Sequence, residues 1–295
     1  MRRLKTIAVI GVGLIGGSFA LAMRRAGAVA RVVGVDRDAQ ALERAAALGI
    51  IDTAAESASE ASAGADLVFV SVPVRAIGSV LHDVALGLGP DAVVTDAGST
   101  KADVVRTAAG ELRDRVSRFV PGHPIAGREA SGVDAAVPDL FRGARVVLTP
   151  EAATSPDAIA LVRACWEACG ARVTTMPAAA HDRVFASVSH LPHMLAFALV
   201  SEIVSRPDAA ELLGFAAGGF RDFTRIAASS PEMWRDVALA NRDALLEEMD
   251  RYCARVAVFR ELVDKGDGPG LQRLMTEARN ARRAWAGGKR STSDE

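Results

Sequence analysis

Gly11-Val12-Gly13-Leu14-Ile15-Gly16 follows the apolar run Thr6–Ile10 without a spacer and opens the Ala-rich stretch Gly17–Arg25. A strand, a glycine-rich turn and a helix in that order form the first unit of a dinucleotide-binding sheet. Gly11 permits the tight turn, Gly13 lets the backbone approach a pyrophosphate, and Gly16 lets the helix pack on the strand. Leu14 and Ile15 complete the loop, and the helix N-terminus behind them turns its unpaired N–H groups toward phosphate charge. Glycine turns are common, so these six residues alone say little. The next β-branched run, Arg31–Val35, ends in Asp36, about twenty residues past the last glycine, where the ribose-binding acid of such units falls. A carboxylate there accepts from the adenosine ribose and repels a 2′-phosphate, which favours NAD. The neighbouring Arg37 keeps NADP open as the alternative.

Outward from this unit, further strand candidates are Leu67–Ser71, Val93–Asp96, Phe119–Pro121, Arg145–Leu148 and Arg172–Thr175, separated by helical stretches. That alternation predicts an α/β fold with a doubly wound, Rossmann-type parallel sheet. Ligands of such sheets collect at the carboxyl ends of the strands. Ser71-Val72-Pro73 ends one strand, so Val72 and Pro73 are expected along the cofactor path. Asp96-Ala97-Gly98-Ser99-Thr100-Lys101 ends the next. Ser99 there reads as the N-cap of a helix starting near Lys101, a position that can also face substrate. After Met176-Pro177 no strand pattern remains. Ala179–Ser205 and Pro231–Val263 read as long helices, with Pro192 expected to kink the first, and Gly266-Asp267-Gly268-Pro269-Gly270 separates the last two. The expected division is a dinucleotide-binding domain over 1–176 and an all-helical domain over 177–295. One face of Pro231–Val263 is too apolar to stand alone, which predicts a homodimer through the helical part.

With 295 residues, half of them apolar, the chain is ample for a sizeable core. A formal net charge of −1 and the lack of a Lys/Arg block argue against nucleic acid or an anionic membrane as partner. The basic cluster Arg279–Arg290 reads as a helix end that complements the helix dipole. No segment reads as a membrane span and the N-terminus does not read as a signal peptide. Cys165, Cys169 and Cys253 have neither zinc nor redox spacing, and read as reduced, buried thiols of a cytoplasmic protein. Trp166 and Trp285 read as packing residues.

The chemistry is carried by Gly122-His123-Pro124-Ile125-Ala126-Gly127, with Glu129 just behind it. A histidine beside the nicotinamide can take a proton from a carbinol while hydride leaves the same carbon, which points to an oxidoreductase. His190 and His193 stand one helical turn apart with His181 upstream, a pattern that raises a metal site. Zinc catalysis wants a third ligand and usually a carboxylate nearby, so substrate contact is the preferred reading and no metal is assigned. Arg225 reads equally well as a carboxylate binder and as the i,i+3 partner of Asp222.

With His123, the segment His181-Asp182, the cluster Ser189-His190-Leu191-Pro192-His193 and the run Gly218–Ala227 in series, the chain resembles the prephenate dehydrogenase family from Lys5 to about Trp285. That family includes arogenate and dual-specificity cyclohexadienyl dehydrogenases. The resemblance implies NAD(P)-dependent oxidative decarboxylation of prephenate or arogenate in tyrosine biosynthesis, on a Rossmann domain followed by a helical dimerisation domain. It implies His123 as the catalytic histidine and Ser99 as the serine beside the nicotinamide. Arg225 becomes the ligand of a substrate carboxylate, His190 and His193 the helical pair near the substrate side chain, and Glu129 and Trp234 residues of the pocket rim. Arg221 departs from the lysine common in relatives, keeping the charge but not the geometry. Three rivals are weaker. A β-hydroxyacid or imine reductase would carry a lysine on the first helix after the sheet, where this chain has histidines. A non-catalytic dinucleotide sensor would not need His123, Ser99 and Arg225 together, and a methyltransferase is disfavoured by the glycine spacing.

Overall fold

The computed structural model describes residues 3–128 and 130–290. Among the described residues nine strands lie at Leu4–Ile10 (β1), Val29–Val35 (β2), Thr53–Ala54 (β3), Leu67–Val70 (β4), Val93–Asp96 (β5), Phe119–Val120 (β6), Gly122–Ile125 (β7), Arg145–Leu148 (β8) and Arg172–Thr175 (β9). The α-helices are Leu14–Arg25 (α1), Ala39–Ala47 (α2), Ala58–Ser62 (α3), Ile77–Gly87 (α4), Ala102–Leu112 (α5), Pro156–Ala168 (α6), Ala178–Phe185 (α7), Leu191–Val204 (α8), Ala209–Gly214 (α9), Gly218–Thr224 (α10), Pro231–Ala240 (α11), Arg242–Asp264 (α12) and Gly268–Arg290 (α13).

Six strands pair in parallel in the order β3-β2-β1-β4-β5-β6, the doubly wound arrangement that the alternation predicts. Successive residues point to opposite faces of each strand. Ile7, Val9, Leu67 and Phe69 enter one core with Phe19, Phe141 and Trp166, while Ala8, Ile10, Val68 and Val70 enter the other with Ile77, Leu81 and Val104. Trp166 sits edge-on to Phe19 and Phe141, with ring centroids 4.9 and 5.0 Å away. Helices on both faces leave no wet side, which explains the near-continuous apolar runs.

Several expectations need correction. The strands at Arg145–Leu148 and Arg172–Thr175 belong to a separate three-stranded sheet, β7-β8-β9, with β7 antiparallel to β8. β7 itself, which carries His123, was not expected as a strand because Gly122 and Pro124 mask its pattern. Helix α1 starts at Leu14 rather than Gly17, inside the glycine loop. The predicted helix Ala179–Ser205 is broken by a π-turn over Ala186–His190. Pro192 brings no N–H to the carbonyl four residues back, and the helix widens just ahead of it. The predicted helix Pro231–Val263 is two helices, parted at Asn241. Ala178–Val204 is also long and apolar enough to span a membrane, contrary to the sequence reading. Its His181, Asp182 and His190 are buried in the same compact unit as the sheet.

Among the described residues every strand precedes Met176, but the compact units divide later, one running from Met1 to Leu245 and the other beginning at Leu246. Helices α7 and α11 pack against α5 and the segment after β4, which ties them to the sheet. In the second unit, Gly266 takes a left-handed φ of 65° to end α12, and Asp267 caps the Gly270 N–H of α13 at 2.9 Å. Cys165 and Cys169 are buried, and burial pushes the Cys165 thiol up to about 12. Cys253 and Trp285 are exposed, against expectation, and Arg282 stacks on the Trp285 ring at 4.8 Å.

Candidate active site

The glycine loop has the shape its residues predict. Gly11 has a φ of 92°, and a Cβ there would lie 2.3 Å from the Ser71 carbonyl oxygen. A Cβ on Gly16 would lie 2.0 Å from the Gly11 oxygen, so helix and loop touch through bare backbone. At Gly13 a Cβ would meet nothing within 4 Å. That open side lies at the N-terminus of α1, which has no side-chain cap and no acid in its first turn. Leu14 and Ile15 are half-buried there. Uncapped N–H groups facing open space suit a pyrophosphate. Asp36 Oδ2 accepts the Val12 N–H at 2.9 Å and Oδ1 accepts that of Asp38 at 3.1 Å. The carboxylate thus ties β2 to the loop and keeps lone pairs for a ribose. Arg37 is exposed beside it. Val72 Cγ1 borders Gly11, 3.2 Å from the position of that Cβ, and Pro73 is exposed next to it. These residues fit a dinucleotide.

The strand ends stand in a row, with Gly11 N–H on Val35 O at 2.8 Å, Ser71 N–H on Ile10 O at 2.7 Å and Ala97 N–H on Val70 O at 3.0 Å. Next to them β7 is pinned by a fully buried ion pair. Lys101 Nζ bonds Asp96 and donates to Gly122 O at 2.8 Å, while Asp96 Oδ1 accepts the Gly122 N–H at 3.0 Å. Both backbone groups of Gly122 are therefore fixed, and His123 follows at once.

The His123 ring is half-buried and packs against Phe185, centroids 4.9 Å apart. Its Nδ1 is 2.8 Å from His181 Nε2. Burial, then the charges of His181, Lys101 and His190, push its pKa well below 6.5, so the imidazole is neutral at pH 7. His181 is completely buried, with its Nδ1 2.8 Å from Asp182 Oδ1. Burial lowers the His181 pKa against the opposing pull of Asp182. Asp182 Oδ1 also accepts the Lys101 N–H, and Oδ2 that of Ala102, each at 2.8 Å. Burial alone would raise the Asp182 carboxyl, but the bonds from His181 and the two backbone groups win and hold it below its ordinary value. The cap of α5 is thus Asp182, from 80 residues away, and not Ser99 as expected. A side chain from α7 reaches the helix end first.

Ser99 is half-buried between Asp96 and Lys101, and the buried His190 Nε2 makes no well-formed hydrogen bond. The amide of Asn241 donates to Asp182 O at 2.8 Å and to His190 Nδ1 at 3.0 Å. His193 Nδ1 donates to Ser189 O at 2.9 Å, and its ring stacks on buried Trp234 with centroids 3.5 Å apart. Burial lowers the His193 pKa, the bond to Ser189 O opposes that shift, and the charge of Arg225 adds to it. Arg221 is exposed one turn before Arg225 on α10. Glu129 lies outside the described residues. His181, His190 and His193 bond to Asp182, Asn241 and Ser189 respectively.

Sequence reasoning missed the working contacts of Asp96, Lys101, Asp182 and Asn241. A charged residue at each end of a strand-to-helix turn, and a lone asparagine interrupting an apolar helix pattern, were the available signals.

A doubly wound sheet with an open phosphate cradle, next to a neutral histidine on a pinned strand, defines a nucleotide-dependent oxidoreductase. The chain belongs to the prephenate dehydrogenase family. The family models for the prephenate dehydrogenase nucleotide-binding domain and dimerization domain match residues 19–175 and 177–277. It is 38% identical to a cyclohexadienyl dehydrogenase of Zymomonas mobilis, covering 95% of this chain and 96% of that protein. It is 37% identical to a prephenate dehydrogenase of Bacillus subtilis, over 94% of this chain and 75% of the other. A solved prephenate dehydrogenase from A. aeolicus, in complex with hydroxyphenyl propionate and NAD+, superposes with a TM-score of 0.89 at 36% identity, over 95% of this chain and 98% of that one.

Proposed function

We propose that this protein is an NAD-dependent prephenate dehydrogenase that forms 4-hydroxyphenylpyruvate and carbon dioxide. The observation that carries the reading is the neutral His123, held on β7 by the Asp96–Lys101 pair at the carboxyl end of the sheet that carries the open glycine loop. Prephenate is a cyclohexadiene with a ring carboxylate and a carbinol at C4. Bound NAD would supply the hydride acceptor, seated by Gly11, Gly13, Gly16 and Asp36. His123 takes the hydroxyl proton as hydride leaves C4. The ring carboxylate then departs as carbon dioxide, its bonding electrons aromatise the ring, and the new phenol oxygen takes a proton back. Ser99 orients the hydroxyl, Arg225 binds a carboxylate, and His193, His190 and Trp234 wall the side chain. Arg221 and Glu129 serve the rim of the pocket. Asp36 favours NAD over NADP despite Arg37.

The likeness to a cyclohexadienyl dehydrogenase supports a second reading, in which arogenate is also oxidised. The functional division follows the change from strands to helices near Met176, with the helical part pairing two copies. The protein acts on a small molecule in the cytoplasm.

NADH formation from prephenate and arogenate, each with NAD and NADP, tests all of this at once. Turnover of prephenate with NAD is the expected result. His123→Asn is expected to lower kcat by about 10²–10⁴-fold while NAD still binds. An unchanged rate would end the assignment of His123 as base.

A further inference from the structure

A second inference rests on the reading of His123 as the base. Asp182 is ionised and therefore only accepts hydrogen bonds, so the 2.8 Å contact requires His181 to carry its proton on Nδ1. A neutral His181 protonated there offers a lone pair at Nε2. The 2.8 Å contact with His123 then requires His123 Nδ1 to be the donor. The proton of a neutral His123 is thereby placed on Nδ1, and the lone pair falls on Nε2. We propose that Asp182, acting through His181, fixes which ring nitrogen of His123 is basic and steadies the positive charge this ring acquires, which makes both of them positioning residues for the dehydrogenation.

The carboxylate is well placed for this. The first two N–H groups at the start of α5 hold its oxygens, and Asn241 holds its main-chain carbonyl. His181 has no exposure to solvent, so no water competes for either of its nitrogens. When His123 Nε2 takes the substrate proton, Nδ1–H already points at His181 Nε2, and no second proton has to move. The resulting imidazolium faces a neutral ring with a carboxylate behind it.

The test combines nitrogen-15 spectra of the imidazoles with steady-state kinetics on the full chain. Five histidines make assignment by single substitution practical. The wild type is expected to show His123 as the Nδ1–H form. In Asp182→Asn a single amide oxygen cannot serve both N–H groups of α5 and His181 together, so the bond that fixes the His181 proton on Nδ1 is no longer enforced. His123 then appears as a mixture of Nδ1–H and Nε2–H forms. The kcat with prephenate is expected to fall by about 10²–10⁴-fold, while KM and NAD affinity change by less than about threefold. His181→Ala leaves the cap on α5 intact and is expected to lose the single tautomer and at least about tenfold in kcat. If Asp182→Asn does not fold, His181→Ala decides alone. Folded variants that keep the wild-type kcat, or a His123 that stays Nδ1–H in either of them, overturn the proposal. A merely structural role would lower Tm and leave the tautomer in place. A wild type that oxidises neither acid would count against the proposed function, and the spectra would still decide the relay.

Discussion

Lys101 has no exposed surface, and its ammonium is tied to Asp96 and to the carbonyl that precedes His123. A buried pair of this kind gains little over an apolar one, but removing one partner strands the other charge. Lys101→Met is therefore expected to cost about 3–5 kcal/mol of stability in urea unfolding, and an unchanged midpoint would mean that Asp96 finds another donor. Acid acts on the same region through the histidines. Burial, opposed in part by Asp182, holds His190 down at about 4, below the 6.5 of an unfolded histidine. Between these two values the unfolded chain binds the proton and the folded one does not. Stability is thus level above about pH 6.5 and falls as the pH drops toward 4, by roughly 2–3 kcal/mol for His190. His123 and His181, lowered the same way, add to the loss. Urea midpoints at pH 7.5, 6 and 5 check this, and a midpoint that rises on acidification contradicts it.

At the level of elements, two breaks in helices serve the site. The π-turn ahead of Pro192 precedes His193, which bonds back to Ser189 and stacks on Trp234. The break at Asn241 frees an amide that reaches both α7 and His190. Asn241→Ala leaves the His190 Nδ1 and the Asp182 carbonyl short of a donor. A loss of about 1–3 kcal/mol in urea unfolding is expected, and a variant as stable as wild type would show that water replaces the amide. The distortion at Pro192 was legible, because proline removes a hydrogen bond inside a helix. At Asn241 the one signal was a single polar residue, which leaves the apolar spacing on either side intact.

Across the whole molecule, the helices after the sheet keep an apolar stripe in the open. Met249, Tyr252, Val256 and Val263 recur at intervals of three, four and seven residues on α12, and all are exposed. Such a stripe on a family's dimerization domain accords with a homodimer. Sedimentation of the wild type is expected to give a dimer. Val256→Glu is expected to weaken it by at least about tenfold, since a carboxylate buried without a partner costs more than 1.4 kcal/mol. A variant that sediments as wild type would move the interface elsewhere.

Local rules determined the parallel sheet, the glycine loop with Asp36, and the candidacy of His123. Each is written in consecutive or regularly spaced residues, where steric and burial rules act directly. The strand order and the open cradle at Gly13 agree with that reading. Tertiary structure alone decided the hydrogen bonds that hold His123. Asp182 reaches α5 across 80 residues, and Asn241 reaches Asp182 across 59. No local pattern encodes such contacts, because they form only when separate helices pack and their polar groups, shut off from water, must find one another.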